Sequence, residues 1–416
     1  MPFGGKNMKN VRPKNILVTT FWSYKDALVQ TYTLPYLRII HRYLPPGSTI
    51  YLLTVEQPRF QIQPDEWPGI RAALAQHGIE LVSFPYRAYG LSSWLNWLKI
   101  IASLYFLVAR KNVAQIHSFC TPGGMAGYLL SVFTGRPLLI DSYEPHAEAS
   151  VENGDWPRDG FRFKFLFALE RLMSHRAKVV IAAAEGMRAY AKEKYQATFA
   201  RFYVKPACVD LDLFAEKHRK QPQLLQSLGY EDKIVCVYAG KFGGIYLDKE
   251  VFDFLRVAHQ HWGDRFRVLI LSGQTSAEVG AWAAASGLDQ SIITLRFVKH
   301  AEIAAYIGLA DFALTPVKPI QTKRYCTPIK DGEYWALGLP VVITPNISDD
   351  SQIIEEQQIG AVIREFTDEG YERAVQEIAD LLHQYPRAEL YQKIRAVAVR
   401  YRSFAIAERI YREIYG

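Results

Sequence analysis

Residues 327–343 read Thr327-Pro-Ile-Lys330-Asp-Gly332-Glu333-Tyr-Trp-Ala336-Leu-Gly338-Leu-Pro340-Val-Val-Ile343. The stretch predicts a loop that enters a short helix over 332–337, followed at once by a strand over 340–344. Gly338 stops the helix, and Pro340, which has no amide proton, sits past its C-cap. A helix N-terminus offers free amide groups and a partial positive charge, which suits a diphosphate. Glu333, one turn in, is placed to accept hydrogen bonds from ribose hydroxyls, and Lys330 adds a point charge for phosphate. The same residues also suit an ordinary surface helix with a capping carboxylate.

Outward from this stretch, short apolar runs alternate with longer amphipathic ones, which is the rhythm of βαβ units on parallel sheets. The first half predicts strands at 15–20, 49–54, 79–84, 114–117, 137–141, 178–182 and 201–204. Between them lie helices, among them 28–43, 91–111, 123–133, 161–175 and 185–193. The second half restarts at 233–239, with a glycine-bearing loop over 240–244 and a helix over 248–262. It continues with strands at 266–272, 292–297, 312–315 and 361–364, and closes on helices over 368–384 and 387–400. The change of unit falls near 206–232. Two α/β units of similar size predict a pair of Rossmann-like domains with a cleft between them.

The chain has 416 residues, too many for one ordinary core, and 49% of them are apolar, so it is globular. No run of about 18 uninterrupted apolar residues predicts a transmembrane helix. The polar N-terminus, with Met8 as an alternative start, has no apolar core of a signal peptide and is expected to be a loose tail. Cys120, Cys208, Cys236 and Cys326 are far apart, which argues against disulfides and zinc ribbons and for a reducing cytoplasm. Cys208 and Cys236 are expected to be buried thiols. The net charge of +7 is uneven: up to residue 208 there are 25 Lys and Arg against 14 Asp and Glu, and beyond it 24 against 28. The basic first half is expected to meet something anionic, a membrane surface, a phosphorylated lipid or nucleic acid, unless its cations merely solvate the surface. The apolar helix over 91–111 is too interrupted to span a bilayer, and suits either a buried core or a membrane surface.

The 327–343 stretch resembles the donor-binding signature of retaining GT-B glycosyltransferases of family 4, the glycosyl transferases group 1 type. Four further stretches resemble that family in the same order. They are Val237-Tyr-Ala-Gly240-Lys241, Ala310-Asp311-Phe-Ala-Leu-Thr-Pro316, Val204-Lys-Pro206-Ala-Cys208-Val-Asp210-Leu-Asp-Leu-Phe214, and a C-terminal helix over 401–415. The resemblance implies an α/β GT-B fold: two Rossmann-like domains facing a central cleft, with a C-terminal helix crossing back to the first. The acceptor-binding domain would span 1–206, joined by 401–416, and the nucleotide-sugar-binding domain 207–400.

By the same resemblance Glu333 holds the donor ribose and Lys241 the diphosphate. Gly240, Gly243, Pro316, Thr327, Ile329 and Lys330 line the donor, and Lys249 is the nearest candidate for a second phosphate-binding lysine. The family's longer signature has a second Glu eight positions before the first, and here Tyr325 stands there. In the first half, Asp26 to Leu37 resembles the first loop and helix of such enzymes without their glycine pair. Asp141-Ser-Tyr-Glu144-Pro-His146 lies where the family places a group near the reacting sugar. Tyr143, Glu144 and His146 all remain in register for that place, and Glu144, His146 and Lys241 are the catalytic candidates. A lone His after a strand also serves as a satisfied structural residue.

The resemblance implies no cofactor and no metal, the nucleotide-diphosphate sugar being a substrate. The expected acceptor is a glycan or lipid-linked sugar in surface polysaccharide or glycolipid synthesis. The expected place is the cytoplasm, at the inner face of the membrane. No HExxH, CxxC, GxxxxGK[ST] or GxSxG motif is present. Asp210-Leu-Asp212 matches a metal-binding Asp-x-Asp in form, but it sits between the units and reads as structural. The aromatic residues fall at core spacing, so no nucleic-acid partner is expected. The alternatives are a nucleotide-sugar-binding module without catalysis and a nucleotide-sugar epimerase on the same fold.

Overall fold

The computed structural model describes residues 12–87 and 90–416. The N-terminal tail expected from the sequence lies, through residue 11, outside them, as does Met8. The chain divides into two compact units. One comprises Met1–Glu148, Arg158–Lys205 and Ala405–Gly416, and the other Ala149–Pro157 and Pro206–Phe404.

The first unit holds a seven-stranded parallel sheet. Its strands are β1 (Asn15–Thr19), β2 (Ile50–Glu56), β3 (Ile79–Pro85), β4 (Val113–Phe119), β5 (Leu138–Tyr143), β6 (Ala177–Ala182) and β7 (Phe202–Val204). Their order is β3-β2-β1-β4-β5-β6-β7. The second holds six parallel strands, β8 (Ile234–Ala239), β9 (Phe266–Leu271), β10 (Ile293–Arg296), β11 (Phe312–Thr315), β12 (Val341–Ile343) and β13 (Gly360–Val362), in the order β10-β9-β8-β11-β12-β13. In each sheet the winding reverses once, between β1 and β4 and between β8 and β11. Ligands of open α/β sheets bind outside the carboxyl ends of the strands at such a reversal.

The strands read as continuous apolar runs because both faces are covered. Alternation along β8 shows it: Val235 and Val237 join one buried cluster, Cys236 and Tyr238 the other. All four cysteines are free, with Cys208 and Cys236 buried. Asp210 accepts the amides of Asp212 and Leu213 at 2.9 and 3.0 Å, which makes it the cap of a local turn.

Several element boundaries depart from the expectation. The signature helix runs Ile329–Ala336, starting three residues early, because Pro328 breaks the chain and serves as its N-cap. The helix expected over 28–43 begins as a wide π-type turn, Leu28–Thr33, before Leu34–Tyr43, where Pro35 removes an amide donor from the ladder. The helix expected over 401–415 is the end of Arg387–Arg402 and the whole of Phe404–Tyr415. The break at Ser403 has a tertiary cause: the amide of Val209 donates to the carbonyl of Arg402 at 2.8 Å and ends the helical ladder there. Two helices had no counterpart in the sequence reading, His146–Glu152 and Pro222–Leu228. Among the described residues no helix is long and apolar enough to cross a membrane.

Candidate active site

In the second unit Gly240, Lys241, Pro316, Lys330 and Glu333 lie by the reversal point. Strand β8 ends at Ala239 and delivers Gly240 and Lys241, while its neighbour β11 ends at Thr315 and delivers Pro316. The two loops that follow are clipped together. Leu247 donates its amide to Pro316 O at 2.8 Å, and Lys318 donates to Ile245 O at 3.0 Å. Gly243 and its neighbour Gly244 take φ of +74° and +64°, a turn that side chains rarely permit.

The signature helix is fixed to the same strand ends. The amide of Ala239 donates to the Tyr334 hydroxyl at 3.0 Å, and Tyr334 is fully buried. At the other end of the helix, Thr315 donates its hydroxyl to the buried carboxyl of Asp331. Asp331 lies against Asp350, which is in turn paired with the buried guanidinium of Arg402. Burial pushes both carboxyls up, and Arg402 draws them partly back. This buried set anchors the first turn of the helix to the end of β11, and no pattern local to 327–343 announces it.

Lys330 then projects over Gly240. A methyl group at Gly240 would lie 2.7 Å from both Cε and Nζ of Lys330, so only glycine admits this close approach. The ammonium sits 4.1 Å from the centre of the Tyr246 ring and 5.4 Å from that of Tyr238. Such stacking on aromatic faces stabilises a cation without neutralising it. Among the described residues Lys330 and Lys241 form no ion pair, and Lys241 is exposed. The N-cap of the Ile329–Ala336 helix, Pro328, makes no side-chain hydrogen bond, and the first amides of a helix have no partner within it.

Glu333 is half-buried, and among the described residues its carboxylate accepts no hydrogen bond. Burial raises its pKa from 4.5 to about 7, against the opposing pull of Lys330. The remaining donor candidates are more peripheral. Lys249 opens the helix Lys249–Trp262 and pairs with Asp253 at 2.7 Å on its exposed side. Thr327 shares a 3.1 Å hydroxyl contact with Ser348, and Ile329 packs on the core.

In the first unit, Cys120 after β4 and Ser142 within β5 both take positive φ, 56° and 53°. Such strain in non-glycine residues clusters at functional loops. His146 follows on this turn, half-buried. Its Nδ1 meets the Thr121 hydroxyl at 2.9 Å and the Glu144 carbonyl at 3.2 Å, and its Nε2 has no partner among the described residues. Thr121 also donates to Glu170 at 3.3 Å. Burial raises Glu170 from 4.5 to about 7, while His146, the Tyr195 hydroxyl and the Ala147 amide pull it down. Glu144 is half-buried beside these groups, whereas Tyr143 is buried with its hydroxyl on Ser174. Thr121, which meets the His146 ring, and Glu170, which accepts from Thr121, carry no sequence signature.

Known families and solved structures resemble the chain over both units. The model of the glycosyl transferase 4-like domain matches residues 47–207, and that of glycosyl transferases group 1 matches residues 233–383. By sequence, no functionally curated protein matches the chain. Among solved structures, HepE of Anabaena in complex with UDP superposes with a TM-score of 0.69 at 13% identity, covering 96% of this chain and 99% of that one. Sucrose-phosphate synthase of Thermosynechococcus elongatus gives 0.69 at 14% identity, covering 97% and 99%. WaaG, a glycosyltransferase involved in lipopolysaccharide biosynthesis, gives 0.67 at 14%, covering 97% and 100%. With these likenesses the fold is GT-B. The chain belongs to the glycosyl transferases group 1 family, its first half a glycosyl transferase 4-like domain, and it is a glycosyltransferase.

Proposed function

We propose that this glycosyltransferase moves a sugar, with retention of configuration, from a nucleotide-diphosphate donor to a glycan or lipid-linked acceptor at the inner face of a membrane, in surface polysaccharide or glycolipid synthesis. One observation carries the donor half of the reading. Among the described residues, a carboxylate that accepts no hydrogen bond, a lysine that forms no salt bridge and a helix whose N-cap makes no side-chain hydrogen bond come together at the reversal point of the second sheet. Glu333 accepts the ribose hydroxyls. Lys330, Lys241 and the amides opening the Ile329–Ala336 helix receive the diphosphate, with the Gly240 turn allowing close approach.

In the reaction the bond from the anomeric carbon to the diphosphate breaks, a bond from an acceptor hydroxyl oxygen forms, and the hydroxyl's proton leaves with the diphosphate. Negative charge therefore grows on the diphosphate, where preorganised positive groups stabilise the transition state more than the ground state. These groups meet the need a divalent cation would otherwise fill, so the proposed reaction uses no metal and no cofactor beyond the donor. His146 and Glu144 are assigned to the reacting sugar, His146 through its Nε2, which has no partner among the described residues.

The test is a thermal-shift panel of UDP-, GDP-, ADP- and CMP-linked sugars, UDP-glucose first because the HepE complexes hold UDP and glucose. A stabilising hit that disappears in Glu333→Ala and Lys241→Ala supports the site. Wild-type binding by both variants refutes it. Tyr325, in place of a second Glu, favours one other reading, a donor-binding module without turnover. Binding without transfer to any acceptor supports that reading, and release of an epimerised sugar supports an epimerase.

A further inference from the structure

The helix Leu91–Arg110 is apolar on two opposite faces. Ile100, Leu104 and Val108 are at most 1% exposed and face the core. On the other side Trp94 is 70% exposed, Leu98 64% and Phe106 55%, at the spacing of a single helical stripe. A helix that is apolar all round needs cover on both sides. The stripe does not stand alone. Helix Cys120–Thr134 packs against Leu91–Arg110 on one side and Phe161–Arg176 on the other. It adds exposed Phe133, and the third helix adds Phe161 and Phe165, whose rings stack at 5.8 Å. Scattered exposed apolar residues are ordinary, but a run of large ones across three packed helices marks an interaction surface.

Charge identifies the occupant. Between Glu80 and Asp141 the sequence has no acidic residue, against Arg87, Lys99, Arg110, Lys111 and Arg136. On the three helices the exposed charges are Lys99, Arg110, Arg162, Lys164 and Arg171, all cationic, and the one acid, Glu170, is buried. A second copy seated on this face by two-fold symmetry would set cations against cations. A bilayer surface rich in anionic lipid complements both features, because apolar side chains enter the acyl boundary while long cationic ones reach back to the headgroups. The Arg110 guanidinium, 5.8 Å from the centre of the Phe106 ring, already has that posture.

We propose that the exposed faces of Leu91–Arg110, Cys120–Thr134 and Phe161–Arg176 form one surface by which the chain docks on an anionic phospholipid bilayer. The helices lie flat on it, since their other faces are committed to the core. This gives a place and a chemistry to the membrane part of the reading above. It needs neither donor nor acceptor, so it stands or falls separately from sugar transfer.

The experiment is co-sedimentation of the full chain with phosphatidylcholine vesicles with and without phosphatidylglycerol. Binding is expected to be at least about tenfold tighter with phosphatidylglycerol. The double variant Leu98→Glu/Phe133→Glu should lose binding to both, and Lys99→Glu/Lys164→Glu should lose the phosphatidylglycerol preference. All four side chains are exposed, so melting temperature and donor binding should stay at wild type in both variants, which separates lost docking from lost folding. The proposal is overturned if the wild type fails to pellet with anionic vesicles. It is equally overturned if Leu98→Glu/Phe133→Glu binds them normally, or if that variant instead turns a dimer into a monomer.

Discussion

Lys330 and Gly240 compete for the same space, since a methyl group on Gly240 would sit 2.7 Å from the lysine Nζ. Gly240→Ala should therefore expel the ammonium from its seat over Tyr246 and leave the diphosphate without one charge-assisted contact. Such a contact is worth about 1.5–3 kcal/mol, or roughly ten- to a hundredfold in affinity. Isothermal titration with the donor should show that loss in Gly240→Ala and in Lys330→Ala. Residues acting through one contact are not additive. Gly240→Ala placed on top of Lys330→Ala should thus cost little more, and a full second loss would show that the glycine serves something other than Lys330.

Glu333 should make donor binding depend on pH. Its pKa is raised to about 7 in the unliganded fold, mainly by burial, and ribose hydroxyls bind the ionised form. Affinity should therefore fall as pH drops through 7 towards 6, and in Glu333→Gln it should be weak and flat. The sign for stability is opposite. An acid whose folded pKa exceeds its unfolded one loses stability as pH rises from the ordinary carboxyl range to about 7, and stays penalised above it. The penalty is on the order of 1–2 kcal/mol once solvent access is allowed for. Without ligand, Glu333→Gln should melt higher than wild type at pH 8 and with it at pH 5. Equal melting at both would remove the buried-charge account of this carboxylate.

The split between what the sequence shows and what it hides follows the range of the interactions. The strands were legible because burial on both faces leaves unbroken apolar runs such as Ile234–Ala239. The helix Pro222–Leu228 also carries a local signal, with proline at its start and Gly229 in the left-handed region at its end. Other features had none. Asp331 is held by Thr315 and bears on Asp350 and Arg402, and the break at Ser403 is set by Val209. These partners are far apart in sequence and meet only through the fold. Of the site, Gly240, Lys330 and Glu333 could be named in advance. That Lys330 reaches across Gly240, and that Tyr334 ties the helix to β8, follows from sheet order.

His146 is assigned to the reacting sugar, and its ring is positioned by Thr121. His146→Ala should lower kcat by about a hundredfold or more while leaving the donor Kd within about twofold. Thr121→Val keeps the imidazole but leaves Nδ1 only the Glu144 carbonyl at 3.2 Å, so a loss of roughly tenfold in kcat is expected. A donor Kd that rises with kcat unchanged would instead make His146 a binding residue.

A buried ion pair lies beneath the C-terminal helix. In the first unit Lys205 Nζ lies 3.2 Å from Asp141 Oδ1, and both side chains are inaccessible. The ammonium is also 3.5 Å from the centre of the Tyr36 ring, while Asp141 Oδ2 accepts the Tyr411 hydroxyl at 2.5 Å. The pair thus fastens the helix Phe404–Tyr415 to β5. Burial alone would raise the Asp141 pKa, but Lys205, His117 and Tyr411 outweigh it and hold the group at about 2. Its stabilisation is therefore complete above the ordinary value of 3.8 and is lost as pH falls from there towards 2. Removing one partner strands the other charge, which costs about 3–5 kcal/mol, whereas replacing both with apolar groups of similar volume is often neutral. Lys205→Met should accordingly destabilise the first unit strongly in urea, and Lys205→Met with Asp141→Leu should recover most of the loss. A double variant no better than the single one would mean that the contacts of Asp141 with Tyr411 and His117, rather than the ion pair, hold the C-terminal helix in place.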